Sequence, residues 1–174
     1  MQMQVKFQGL LGLFIDPQSH YSTSLEASFL AHNHSKIDDN MKRIVKKNEY
    51  LYKVTLISSQ KMKIAVDQIS EELNCSKGFA RKFLQKKVSE YFETVSLPAL
   101  YFFTELAEMT DTIEKDGKTV TRKSLVAFVC NTDQWVAFLQ KVSKDLDLQL
   151  DENRDLHMSL YNLTGNPSDS PSLI

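Results

Sequence analysis

Apolar residues recur along this chain with two periods, and the switches between them mark out its elements. From Gln4 to Ile15 the run Val5, Phe7, Leu10, Leu11, Leu13, Phe14 and Ile15 reads as a strand, in which Gly9 and Gly12 imply a bulge or a close backbone approach. Asp16-Pro17 breaks the run, and the segment from Gln18 to Ser24 is polar. Ser24 is placed to cap a helix whose stripe runs Leu30, His34, Ile37, Met41, Ile44 and Val45. His34 reads as a hydrogen-bonded packing residue, and Lys42, Arg43, Lys46 and Lys47 read as cations that suit the dipole of the last turns. Period two returns from Tyr50 to Ile57, where Lys53 and Thr55 share a face.

Helical spacing then holds through Lys61 to Asn74, with Met62, Val66, Ile69 and Leu73 on one side. It resumes after Ser76 with Phe79, Phe83, Leu84 and Val88 and ends before Pro98. Strand-rich sequence follows: Leu100 to Met109, Asp111 to Lys115, a turn at Asp116-Gly117, and Thr119 to Cys130. Asp-Gly between β-rich runs is a strong hairpin signal. Asn131 or Thr132 is placed to cap a helix that buries Trp135, Leu139, Val142 and Leu146. A polar loop over residues 151–154 leads into a last strand, Asp155 to Tyr161, and the turn-rich tail from Asn162 to Ile174 reads as a loop at the mouth of a site or a frayed end.

Composition narrows the function classes. With 174 residues, 42% hydrophobic and 25% charged, the chain fits one ordinary globular domain. No apolar run reaches membrane-span length, and the first residues lack a secretion signal, so no membrane partner and a cytoplasmic location are expected, with Asn162-Leu-Thr164 a chance match to a glycosylation acceptor. Cys75 and Cys130 form no close pair, so a zinc site is not expected, and no motif calls for a metal or other cofactor. A net charge of −1 gives no bulk attraction to nucleic acid, so any such binding needs a local patch. One candidate is the stretch Ile69 to Leu84, similar to a helix-turn-helix, with Arg81, Lys82, Lys86 and Lys87 on the second helix. Two packed amphipathic helices with a solvated basic face explain the same pattern, and strands enclose the element on both sides.

The candidate chemistry lies on two strands. In the last strand His157 and Ser159 share a face while Leu156, Met158 and Leu160 point the other way. Alone that triplet carries little weight. Lys53 and Thr55 repeat it with one change, and an apolar residue follows the hydroxyl in both copies, Leu56 and Leu160. The chain thus divides into two similar halves around a helical middle, each closed by one of these strands. Packed about a pseudo-two-fold axis, the halves would set both strands side by side at the floor of one groove.

On these residues the chain resembles the two-histidine phosphoesterase superfamily, whose members carry two His-x-Thr/Ser-apolar motifs on central strands of a bilobal fold. The second motif is His157-Met158-Ser159-Leu160 and the first, altered, is Lys53-Val54-Thr55-Leu56, 104 positions earlier from 157 back to 53. The resemblance implies an α+β fold with antiparallel sheets lining a central groove and helices outside: lobe one at about 1–60, a helical insertion at about 61–96, and lobe two at about 97–174. It implies a phosphodiesterase acting without metal or cofactor on a small nucleotide with a cyclic or 2′-linked phosphate, an RNA end included. Some phage members degrade cyclic-nucleotide immune signals. His157 would serve as general acid or base, and Thr55 and Ser159 would donate to the non-bridging oxygens. Tyr161, and His20 as a loop residue reaching the site, are candidate substrate contacts.

Lys53 stands where the family has histidine. A lysine of ordinary pKa ~10.4 is a cation and a proton donor but a poor base. Three readings stay open: an enzyme using Lys53 as electrophile or acid, a nucleotide-binding protein without turnover, or a first histidine replaced by design to trap ligand.

Overall fold

The structure, a computed structural model, describes residues 3–150 and 155–171. The first apolar run forms two strands where the periodicity suggested one. β1 (Met3–Phe7) and β2 (Leu11–Ile15) pair antiparallel, with Phe7 opposite Leu11. Gly9 turns the chain at φ +75°, which glycine adopts without steric cost. Apolar residues on both sides of the turn hid the break. Gly12 does make a close approach: a β-carbon there would lie 2.9 Å from Cε2 of Phe14, so the Phe14 ring folds over its own strand.

The helix α1 (His20–Asn33) begins before Ser24, with Ser19 accepting the Ser22 N–H at 3.2 Å. It also stops far short of Val45. The buried Asn33 side chain donates to the Thr104 carbonyl at 2.7 Å and accepts the Leu106 N–H at 2.8 Å, which commits the last turn to a distant segment. His34 is therefore an exposed helix-end residue and not a packing one. The helical spacing of Ile37, Met41, Ile44 and Val45 is fortuitous. Lys42–Arg43 form β3, Val45–Lys46 form β4, and Glu49–Tyr50 form β5. β4 and β5 are joined by a tight turn in which Lys47 and Asn48 both have positive φ, so the four cations complement no helix dipole.

Next come β6 (Lys53–Ile57) and the helices α2 (Ser59–Leu73) and α3 (Lys77–Thr94), capped by Ser58 and Ser76. The helices bury Met62, Ala65, Val66 and Ile69, then Ala80, Leu84 and Val88. Leu73, Phe79 and Phe83, expected on the buried stripe, are exposed. β7 (Ala107–Lys115) and β8 (Lys118–Phe128) form the hairpin that Asp116-Gly117 signals, both turn residues at positive φ. Residues 99–106 are not the start of β7. Their carbonyls at Ala99, Leu100 and Thr104 accept from Trp135, Tyr21 and Asn33, side chains of two different helices, and the segment meets the end of β8 through an isolated bridge, Phe102 opposite Val129. The helix α4 (Thr132–Leu146) buries Trp135, Leu139, Val142 and Leu146 as its spacing demands, and β9 (His157–Asn162) ends the sheet-forming chain. The polar loop 151–154 and the last residues, 172–174, lie outside the described residues.

Among the described residues the result is a mixed α/β fold with four α-helices, an antiparallel seven-stranded sheet in the order β1-β2-β6-β9-β8-β7 with β3 also paired to β9, and the separate two-stranded β4–β5 sheet. One core cluster joins the sheet face carrying Leu13, Val54, Ala127 and Met158 to the buried residues of all four helices. The other face is turned away from the helices. No helix among the described residues is long and apolar enough to cross a membrane.

Candidate functional site

β6 and β9 are neighbours at the middle of the sheet although they are far apart in sequence. Val54 stands opposite Met158, both fully buried. Continuing that antiparallel register by one residue each way sets Lys53 against Ser159 and Thr55 against His157. All four are only partly buried, and by strand alternation they share the face away from the core. Each strand also brings an outer aromatic: Phe14 of β2 lies opposite Lys53, and Phe128 of β8 lies opposite His157, its ring centroid 6.0 Å from the imidazole.

The seam between the inner strands is short. Val54–Met158 is its one registered pair among the described residues, and further along β9 it is β3 that takes up the edge, with Arg43 opposite Tyr161. The wedge so opened is filled by the Arg43 guanidinium. It donates to the carbonyls of Ile44 at 3.0 Å and Leu160 at 3.1 Å, and forks onto Glu26 of α1, with Nη2 to Oε1 at 2.8 Å and Nε to Oε2 at 3.2 Å. The Tyr50 and Tyr52 rings lie 4.6 and 4.9 Å from it. Tyr52 donates its hydroxyl proton to Glu26 at 2.8 Å, and burial first, then that bond, pushes the phenol far above its usual range. Tyr161 is buried in the same cluster, 5.9 Å from the guanidinium, and its phenol is raised chiefly by burial.

Of the residues singled out by sequence, Lys53, Thr55, His157 and Ser159 are brought together. Tyr161 lies just past them, packed against Arg43. His20 is not brought in: it is exposed at the start of α1, where Nε2 sits 3.4 Å from Ser24 of the same helix, and α1 packs on the core side of the sheet. Arg81, Lys82 and Lys86 are exposed on α3, whereas Lys87 donates to the Leu146 carbonyl at 2.9 Å and so serves as a tether to α4.

The electrostatics of the paired strands are cationic. Lys53 is held below its ordinary pKa, first by burial and then by the charge of Lys46. No ion pair among the described residues engages Lys53 or Lys46. His157 Nδ1 lies 3.4 Å from the Asp155 carbonyl. A cavity of about 360 Å³ borders Lys53, walled by Lys46, Phe14, Leu51, Asn166 and Pro167. Asn166 and Pro167 bring part of the tail to this cavity, whose lining includes Lys53 but not Thr55, His157 or Ser159. Asn162 holds it there: its buried amide donates to Asn166 O at 2.7 Å and to Ser170 at 3.1 Å, and accepts from the Thr164 and Gly165 N–H groups. That amide is no open glycosylation acceptor. No group of three His, Cys, Asp or Glu residues among the described residues is placed to hold a metal ion.

Taken together, a partly desolvated cation, an imidazole and two hydroxyls on one sheet face can bind an oxyanion and move a proton at it. No family model, curated protein or solved structure matches the chain. What it does must be read from its own geometry. Sequence periodicity missed Arg43 and Glu26, because each acts through partners distant in sequence, and it missed Asn162, whose partners are near in sequence but lie in an irregular tail that has no period. Lys47-Asn48 before a β-rich run was the one local sign that the cations sat in a hairpin.

Proposed function

We propose that this chain is a phosphodiesterase-type hydrolase, similar to the two-histidine phosphoesterases, acting on a small nucleotide with a cyclic or 2′-linked phosphate. The observation that carries the reading is the Val54–Met158 pair, because it sets Lys53 and Thr55 beside Ser159 and His157 on one open face. The order of elements supports it: hairpin β1–β2, α1 and β6 are matched by hairpin β7–β8, α4 and β9, as two halves related by a pseudo-two-fold axis would be. Phe14 beside Lys53 and Phe128 beside His157 extend the match to the flanking strands.

In this mechanism His157 takes a proton from the attacking water as its oxygen bonds to phosphorus. Thr55 and Ser159 donate to the non-bridging oxygens, where charge builds in the transition state. The Lys53 ammonium pairs with the phosphate and passes a proton to the ribose oxygen as the P–O bond to it breaks, leaving a monoester. Burial favours that transfer, since it disfavours the charged lysine. A lysine remains a weaker fit than imidazole to both proton-transfer roles, so slow turnover is expected.

Mass spectrometry of cyclic dinucleotides, 2′,3′-cyclic nucleotides and 2′–5′ linked dinucleotides incubated with the chain tests the reading. Product is expected from at least one class, rising with Lys53→His and falling roughly 10²–10⁴-fold with His157→Ala. Binding without product by the unaltered chain and by Lys53→His would make this a nucleotide-binding protein. The helix-turn-helix alternative predicts instead that Arg81→Ala and Lys82→Ala weaken duplex DNA binding while His157→Ala changes nothing.

A further inference from the structure

The cavity beside Lys53 does not end there. It shares Gln8, Phe14, Lys46 and Leu51 with a second cavity, of about 420 Å³, that runs between the β1–β2 and β4–β5 hairpins. Each lies within the ~300–1,000 Å³ range of small-ligand sites. The second cavity adds Lys6, Lys47 and Tyr50 to the wall, and its lining holds three lysines against two carboxylates. Asp16 is already engaged, one oxygen accepting the Gln18 N–H at 2.9 Å, and Glu49 stands opposite Lys46 in the β4–β5 pair. Lys6, Lys46 and Lys47 form no ion pair among the described residues, and Lys6 sits 5.2 Å from the Phe14 ring centroid.

The cations therefore form a track, from Lys53 past Lys46 to Lys47 and Lys6, with one aromatic ring at the junction of its two compartments. Gly12 makes that ring available, since any side chain there would push Phe14 off its strand. A single cyclic phosphate on the paired strands would reach this cavity only at Lys53. A second compartment of like size, charge and continuity suits a second phosphate and its nucleoside.

We infer that the trough formed by Lys6, Phe14, Lys46 and Lys47 is a binding subsite for a second nucleotide, so that the ligand is an oligonucleotide carrying at least two phosphates and not a mononucleotide. The inference rests on the reading of the paired strands as a phosphate site and names the ligand class for it. Phe14 stacks a base at the junction, and the lysines hold the outer phosphate.

Isothermal titration of the full chain with adenosine 2′,3′-cyclic monophosphate and with a linear two-phosphate adenosine dinucleotide tests this. The dinucleotide is expected to bind at least about tenfold tighter. Lys6→Gln combined with Lys47→Asn, both surface changes, should remove most of that advantage while leaving mononucleotide affinity within about twofold, and Phe14→Leu should cost the dinucleotide about tenfold. Equal affinity for the two ligands, no dinucleotide binding, or equal losses for both with Lys6→Gln/Lys47→Asn overturns the subsite. The parent reading fails separately: if Lys53→Ala and His157→Ala leave mononucleotide affinity unchanged while Lys6→Gln/Lys47→Asn still weakens the dinucleotide, the trough stands and the paired strands are not a phosphate site.

Discussion

Replacing Arg43 with Met should destabilise the fold by about 3–5 kcal/mol, because it strands a carboxylate that the fold has taken out of water. The Arg43 and Glu26 side chains are 9% and 13% exposed, so neither is well screened by solvent, and their closest contact is 2.8 Å. The variant loses the fork onto Glu26 and the donations to Ile44 and Leu160, and leaves Glu26 with the Tyr52 hydroxyl. Charge-assisted hydrogen bonds are each worth ~1.5–3 kcal/mol, and the thioether recovers some packing against Tyr50 and Tyr52, so the loss stays within the range for breaking a buried pair. Against a total stability of ~5–15 kcal/mol this is at least about a fifth of what holds the domain folded. With a urea slope of about 2 kcal/mol/M the midpoint should fall by ~1.5–2.5 M. Adding Glu26→Met should restore part of the loss, since the double variant leaves no unpaired charge. A midpoint shift under about 0.5 M for Arg43→Met, or a double variant whose loss equals the sum of the singles, would refute the reasoning.

Two further outcomes follow from buried polar groups. Lys53→Met should stabilise the fold most at low and neutral pH: the folded pKa lies below the unfolded value of ~10.4, so the wild-type chain gains stability as pH rises through the folded pKa toward that value, and the advantage of methionine should shrink across this window in urea titrations. An advantage constant with pH would show that Lys53 is not desolvated. Ser124 has a fully buried hydroxyl with no hydrogen-bond partner among the described residues, so Ser124→Ala should stabilise by about 1 kcal/mol, a rise of ~2–4 °C in Tm by calorimetry; a fall in Tm would mean that the hydroxyl is satisfied.

Local chemistry was legible in the sequence where it alone decides structure. The α4 stripe, the Asp116-Gly117 turn and the alternation of β6 and β9 each depend on neighbours within a few residues, and each stands where periodicity puts it. What failed was decided at long range. α1 ends at Asn33 because Thr104 and Leu106 claim its side chain, a partnership that no local window contains. Arg43 looked like a dipole-matching cation because Glu26, Leu160 and Tyr161 are invisible from its own segment. For the site, the two motif strands could be chosen from sequence, and their adjacency could be expected from the repeated order of elements. The flanking rings of Phe14 and Phe128 and the tail wall pinned by Asn162 depend on sheet register and a buried amide, which are set by the assembled sheet and not by any local pattern.

The brief seam between β6 and β9 also has a kinetic meaning. The α2–α3 pair and the β7–β8 hairpin close over short stretches of chain and can form early, whereas joining residue 54 to residue 158 must first overcome the loop entropy of everything between. The four polar residues of the site sit astride that late contact. During refolding, secondary structure should therefore be regained before Lys53 and Thr55 meet Ser159 and His157, and a chain that opens only at this seam keeps its local elements yet separates those four side chains.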